Sequence, residues 1–146
     1  MATKNSAVLK RDRQSVEAHP HERVIAFIET LPEALAKEYG QHLSLEVRGK
    51  RFGWYMDDHH GDGRLALACR APAGESQALV ARAPELFHIP KYVGQHGWIG
   101  IWLDLPQLDW AEVEGVLVDA YLLTAPKKLV AQLQQRILKQ AGDDLS

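Results

Sequence analysis

Leu43-Ser44-Leu45-Glu46-Val47-Arg48-Gly49-Lys50-Arg51-Phe52-Gly53-Trp54-Tyr55-Met56, followed past a turn by Leu65-Ala66-Leu67-Ala68-Cys69, decides the fold. Leu43, Leu45 and Val47 alternate with Ser44, Glu46 and Arg48, which is the period of a half-buried strand. Gly49-Lys50 reads as a tight turn, after which Phe52, Trp54 and Met56 carry the alternation back. His60-Gly61-Asp62-Gly63 makes a second turn, and Leu65, Leu67 and Cys69 mark a third strand. Three strands joined by short turns form an antiparallel meander.

Outward from this meander the period changes to that of helices. Pro20 suits a first helical turn, and Val24, Ile25, Phe27 and Ile28 give an apolar face over 20–29. Thr30 and Glu33 have capping-box spacing around Pro32, which predicts a short second helix ending at Tyr39-Gly40. Downstream, a helix over 76–83 leads to strands at 86–89 and 98–103. A helix opens near Asp109, with Val113, Val116, Leu117, Ala120 and Tyr121 on one face. A last one after Pro126 aligns Leu129, Val130, Leu133, Ile137 and Leu138. Consecutive strands with helices outside them define an α+β fold: two layers, about five antiparallel strands, helices packed on one face. Leu45, Phe52, Trp54, Leu67, Ile99 and Ile101 are expected beneath the helices. The domain is expected over residues 19–142, between a flexible N-terminal arm at 1–18 and a tail at 143–146.

Composition narrows the function classes. The chain has 146 residues, 46% hydrophobic and 25% charged, which is ordinary globular composition. Its longest apolar run, Trp98 to Leu103, is far shorter than the ~18 residues of a membrane span. No signal-like segment opens the sequence, and Cys69 is the single cysteine, so a soluble cytoplasmic protein without internal disulfides is expected. The formal charge of -2 lacks the strong basic excess usual in proteins that live on nucleic acid, leaving only local clusters for such a role.

Catalytic signatures are thin. No Walker loop, dinucleotide fingerprint or nucleophile elbow occurs. Asp57, Asp58, His59, His60 and Asp62 group the right ligand types for a metal, but adjacent residues in one turn rarely converge, and the same letters describe a polar hairpin loop. Cys69 shares the apolar face of Leu65 and Leu67 and reads as a core thiol. No catalytic residue, metal or cofactor is therefore assigned, and a binding module is favoured over an enzyme. Alternation turns Trp98 and Trp102 away from Ile99, Ile101 and Leu103. The same argument turns Arg51, Gly53, Tyr55, Arg64 and Arg70 outward, with a small-residue floor at Gly53, Ala66, Ala68 and Gly100. Tyr55, Trp98 and Trp102 would then form a face for a small anionic or aromatic ligand, or for a second copy of the chain.

Several segments resemble the MmcQ/YjbR family: Tyr92-Val93-Gly94-Gln95-His96-Gly97-Trp98-Ile99-Gly100-Ile101-Trp102-Leu103-Asp104, Trp110-Ala111-Glu112-Val113, and Ala120-Tyr121-Leu122-Leu123-Thr124-Ala125-Pro126-Lys127-Lys128. Val47 to Phe52 and His59 to Arg64 match the family's first hairpin and following turn. The resemblance implies a small antiparallel sheet with helices on one side, and a DNA-binding role. Arg48, Lys50 and Arg51, supported by Arg64 and Lys127, would then neutralise phosphates without reading bases. Where many members carry Ser-Tyr, this chain has Ala120-Tyr121.

Overall fold

The computed structural model describes residues 19–145; the N-terminal arm expected at 1–18 lies outside them. Helix α1 (Pro20–Ile28) begins with proline in its first turn, and the imidazole of His19 caps it by accepting from the His21 N–H at 3.2 Å. Val24 and Ile28 are its buried face. The second helix expected at 30–39 does not form. The Thr30 hydroxyl donates back to the Phe27 carbonyl at 2.6 Å, closing α1 instead of opening a new helix. Glu33 turns to a positive φ of 57° and pairs with Arg48, so its carboxylate caps nothing. The chain then enters β1 (Ala34–Tyr39), which pairs antiparallel with β2 (His42–Val47) along its whole length. Ala-Leu-Ala-Lys-Glu favours helix locally, and six residues of ladder outweigh that preference.

β3 (Lys50–Asp57) and β4 (Leu65–Cys69) complete the meander. The turn between β2 and β3 is Arg48-Gly49, one residue earlier than expected, with both φ angles positive at 52° and 77° as a two-residue hairpin turn requires. Helix α2 (Glu75–Arg82), the two-residue β5 (Phe87–His88) and β6 (Ile99–Trp102) follow, then α3 (Trp110–Leu122) and α4 (Lys127–Leu145). Among the described residues the sheet has six antiparallel strands in the order β1-β2-β3-β4-β6-β5, one more than expected, the extra one being β1. The α+β class holds.

One face of the sheet carries the core. Leu45, Phe52, Leu67, Ile99 and Ile101 are buried there against Val113, Leu117, Ala120 and Tyr121 of α3 and Leu129 and Leu133 of α4. Ala120 is fully buried, a packing position. Beyond Leu133 the described side chains of α4 are exposed, so Ile137 and Leu138 do not extend the core stripe as their spacing suggested.

Trp54 departs from the expected core. Leu45 pairs with Gly53 and Glu46 with Arg51, so β3 has one residue more than β2 at this point, a β-bulge at Phe52. The bulge reverses the alternation. Phe52 faces the helices, and so do Gly53 and Tyr55, while Trp54 and Met56 turn to the opposite face.

Candidate functional site

The helix-free face holds a cavity of about 600 Å³. Its floor is β4, whose Ala66 and Ala68 alternate with the core residues Leu67 and Cys69. Trp54 and Met56 on β3 form one wall, and Trp102 on β6 with His88 on β5 forms the other. A segment from Ile89 to Val93 folds across as a strap, while His42, His59, His60 and Asp62 close the corner where β2 begins and β3 ends. Ala66 faces Met56 on one neighbouring strand and Trp102 on the other, so these walls stand two strand spacings apart, about 10 Å.

The Trp102 wall is pre-assembled. His88 stacks on the indole at 4.0 Å between centroids and 21° between planes, and the Arg64 guanidinium lies 3.7 Å from the ring centre. Arg64 comes from the β4 side and His88 from β5, on the other flank of β6, so the indole is held between them and offers the cavity an edge. Arg64 is fixed in turn by a two-pronged bond to Asp104 at 2.8 and 3.1 Å, and Asp104 also accepts the Leu65 N–H. The Arg64 hydrogen bond holds the Asp104 carboxyl below the usual carboxylate range. Gly100 is what lets His88 lie there: a β-carbon at that position would fall 2.3 Å from Nε2 of the imidazole. Burial, reinforced by the Arg64 charge, pushes the His88 pKa down, and its Nδ1 is buried without a partner.

Across the cavity, Trp54 carries Arg51 at 4.1 Å from its ring centre and meets Tyr39 edge-on at 5.6 Å. Arg51 Nε donates to Ser44 Oγ, which donates to Glu46. In the corner, His59 stands 5.5 Å from His42 and 4.0 Å from His60, ring centre to ring centre. His42 Nδ1 accepts the Asp57 N–H at 3.1 Å, which leaves the proton of the neutral ring on Nε2. Burial lowers the His59 pKa, helped by the charges of His60 and His42 and opposed by Asp62. Among the described residues no group of three or more His, Cys, Asp or Glu is arranged to hold a metal ion.

The residues singled out in the sequence are divided by the fold. Arg48 and Lys50 sit at one end of β3 and Arg64 beyond the other, about 24 Å of strand away. Arg48 is bound to Glu33 at 2.5 Å, Arg64 to Asp104, and Arg51 lies on Trp54. Lys50 is exposed, and Lys127 is exposed at the start of α4 in the helix layer. These five do not form one basic surface. Tyr55 is not on the outer face: the bulge buries it completely among the core residues, beside His21, with its hydroxyl unpartnered. Trp98 is half-buried ahead of β6 and does not line the cavity. Trp102 does, above Ala66 and Ala68, two of the four small residues expected at the floor; Gly53 faces the core, and Gly100 lies against the His88 ring. Sequence reading missed Trp54, Met56 and His42, and also His88. The first two are hidden by the bulge, and His88 gave a signal only as the neighbour of core Phe87 on a two-residue strand.

This architecture, an antiparallel sheet with one helical face and one open hollow, is of the α+β class. The YjbR family model matches residues 29–123, and the chain belongs to that family. It is similar in fold to Deinococcus radiodurans protein DR2400, a crystal structure with a DUF419 domain. The TM-score is 0.58 and the identity 16%, over 70% of this chain and 76% of that one. No curated protein matches the chain. No helix among the described residues is long and apolar enough to cross a membrane.

Proposed function

We propose that this YjbR domain is a small-molecule binding module and that its site is the cavity over β4. The observation that carries the reading is the built wall: Arg64, Trp102 and His88 are stacked in sequence over Gly100, the glycine that leaves room for the imidazole. About 600 Å³ lies within the range of ligand pockets, and apolar surface with a few convergent polar groups is their usual lining. The groups present stack, shield and carry charge, which suits capture of a guest rather than its conversion.

DNA binding, the role the family resemblance implies, is the second reading and rests on Lys50 and Lys127, whose side chains are exposed. It is the weaker one, because Arg48 and Arg64 are already paired with carboxylates at opposite ends of a strand. A thermal-shift screen of a chemically diverse library against the wild type and Ala66→Leu separates the two. Guests of the cavity stabilise the wild type and lose that effect when the leucine fills the floor. Hits that stabilise both proteins equally, or a library without hits, refute the cavity reading. Duplex DNA binding that weakens steeply as salt rises, with a flatter salt slope in Lys50→Ala/Lys127→Ala, would support the other.

A further inference from the structure

We infer that the guest of this cavity is an organic anion with a flat apolar body, seated with its acid group in the His42–His59–His60 corner, and that its binding takes up protons. The inference rests on the cavity reading above and names the ligand class of that same site.

The corner brings three imidazoles from two elements to one end of the hollow. His42 opens β2, and His59 and His60 lie on the tight turn after β3, with successive ring centres 5.5 and 4.0 Å apart. Their surroundings also hold carboxylates, which the turn's backbone orients without removing their charge. Asp58 accepts the Gly63 N–H at 2.6 Å, and Asp62 accepts the Arg64 N–H at 2.9 Å, so both carboxylates are engaged by the turn's own backbone. Asp57 closes β3 beside the turn, and its N–H is the donor that His42 Nδ1 accepts. Asp104 is held by Arg64 and Leu65. Among the described residues Asp62 is the one carboxylate in the lining, against Lys91 from the strap, Arg64 and the histidines.

Such a corner is internally frustrated while empty of anion. Burial, and after it the neighbouring His60 and His42, disfavour the charged form of His59, against an opposing pull from Asp62. An anion in the corner reverses both effects at His59 and His60, since a charged imidazole donates from both ring nitrogens and meets opposite charge, while His42, whose Nδ1 is occupied in accepting the Asp57 N–H, offers its Nε2–H. Linkage then requires that anion binding draw protons onto the corner and that acid tighten anion binding by the same factor. The remainder of the hollow fits an apolar body: Met56, the two floor methyls and the ring surface that Trp54 turns to the cavity. Trp102, covered on both faces, contributes an edge.

The test uses two probes that differ by one sulfonate, 8-anilinonaphthalene-1-sulfonate and N-phenyl-1-naphthylamine, titrated calorimetrically into the full chain between pH 8 and pH 6. The sulfonate stays ionised throughout, so any pH dependence belongs to the protein. The expected result is a sulfonate Kd that falls about fivefold or more toward pH 6. The neutral probe's Kd should stay constant, and His59→Gln/His60→Gln should lose the trend. Titration at pH 7 in two buffers of different ionisation enthalpy gives the proton uptake without mutation, and net uptake with the sulfonate alone is expected. Equal pH profiles for the two probes, or no uptake, overturn the anion inference and leave the cavity reading standing. If neither probe binds, or both bind Ala66→Leu as well as wild type, the cavity reading falls and this inference with it.

Discussion

Replacing Gly100 by Ala tests whether the Trp102 wall is built as described. The added β-carbon would meet His88 Nε2, Cε1 and Cδ2 at 2.3, 2.4 and 2.6 Å, whereas ordinary contact begins near 3.4 Å. The imidazole must therefore retreat by about 1 Å or swing off the indole. Losing the stacked contact costs about 0.5–1.5 kcal/mol, and forcing a methyl into a packed site typically costs about 1–3 kcal/mol. Against this, alanine restricts the unfolded chain and returns about 0.4–1 kcal/mol. The expected net destabilisation is about 1–3 kcal/mol, measured by urea unfolding. The three atoms nearest the added carbon all belong to His88, so in a His88→Ala background the same substitution should be neutral or stabilising by up to about 1 kcal/mol. A Gly100→Ala penalty that is equal in both backgrounds would refute the reasoning, because it would place the obstruction in the backbone.

Two tyrosines should respond oppositely to loss of the hydroxyl. Tyr121→Phe removes a buried donor bonded to the Pro32 carbonyl at 2.8 Å and should cost about 1–2 kcal/mol in urea unfolding. Tyr55→Phe removes a buried hydroxyl without a partner and should be neutral or stabilising by up to about 1 kcal/mol. Burial also raises the Tyr55 pKa to about 12, so in the wild type its phenolate should not appear in an absorbance titration up to pH 10. His88 and His59 have folded-state pKa values below the ordinary 6.5, so the unfolded chain protonates first; their contribution is complete above pH 6.5 and lost as pH falls through it. The urea midpoint should drop between pH 8 and pH 5.5, a window in which Asp104 stays ionised, and His88→Gln should flatten that drop. The Cys69 thiol, fully buried and pushed up to about 12, should react with an aromatic disulfide reagent only on unfolding.

Strands β2 and β4, helix α3 and the antiparallel character of the sheet were legible because their periods of 2 and 3.6 are clean over five or more residues. Residues 30–39 were misread because Thr30, Pro32 and Glu33 mimic a helix start. The signal that decides them, pairing of Ala34–Tyr39 with His42–Val47, is a property of two segments together. The bulge at Phe52 is harder still. Gly53 hints at it, yet nothing local says which residue is extra, and the error moves Trp54 and Tyr55 to the wrong faces at once. The candidate site suffered most because it is assembled from five strands, a turn and a strap. Alternation recovered Trp102 and the small residues beneath it, whereas His42, His59 and His60 meet only after β2 and β3 have paired.

The strict alternation of β4 separates what this chain must keep from what it can change. Leu67 and Cys69 belong to the core, Ala66 and Ala68 to the hollow, and each pair is one residue out of step with the other. The depth of the hollow is thus set by two methyl groups whose replacement leaves the helical layer untouched. Descendants of this sequence can shrink or reshape the chamber one floor position at a time while inheriting the same scaffold. At Gly100, on the neighbouring β6, that freedom ends, because His88 lies directly against it.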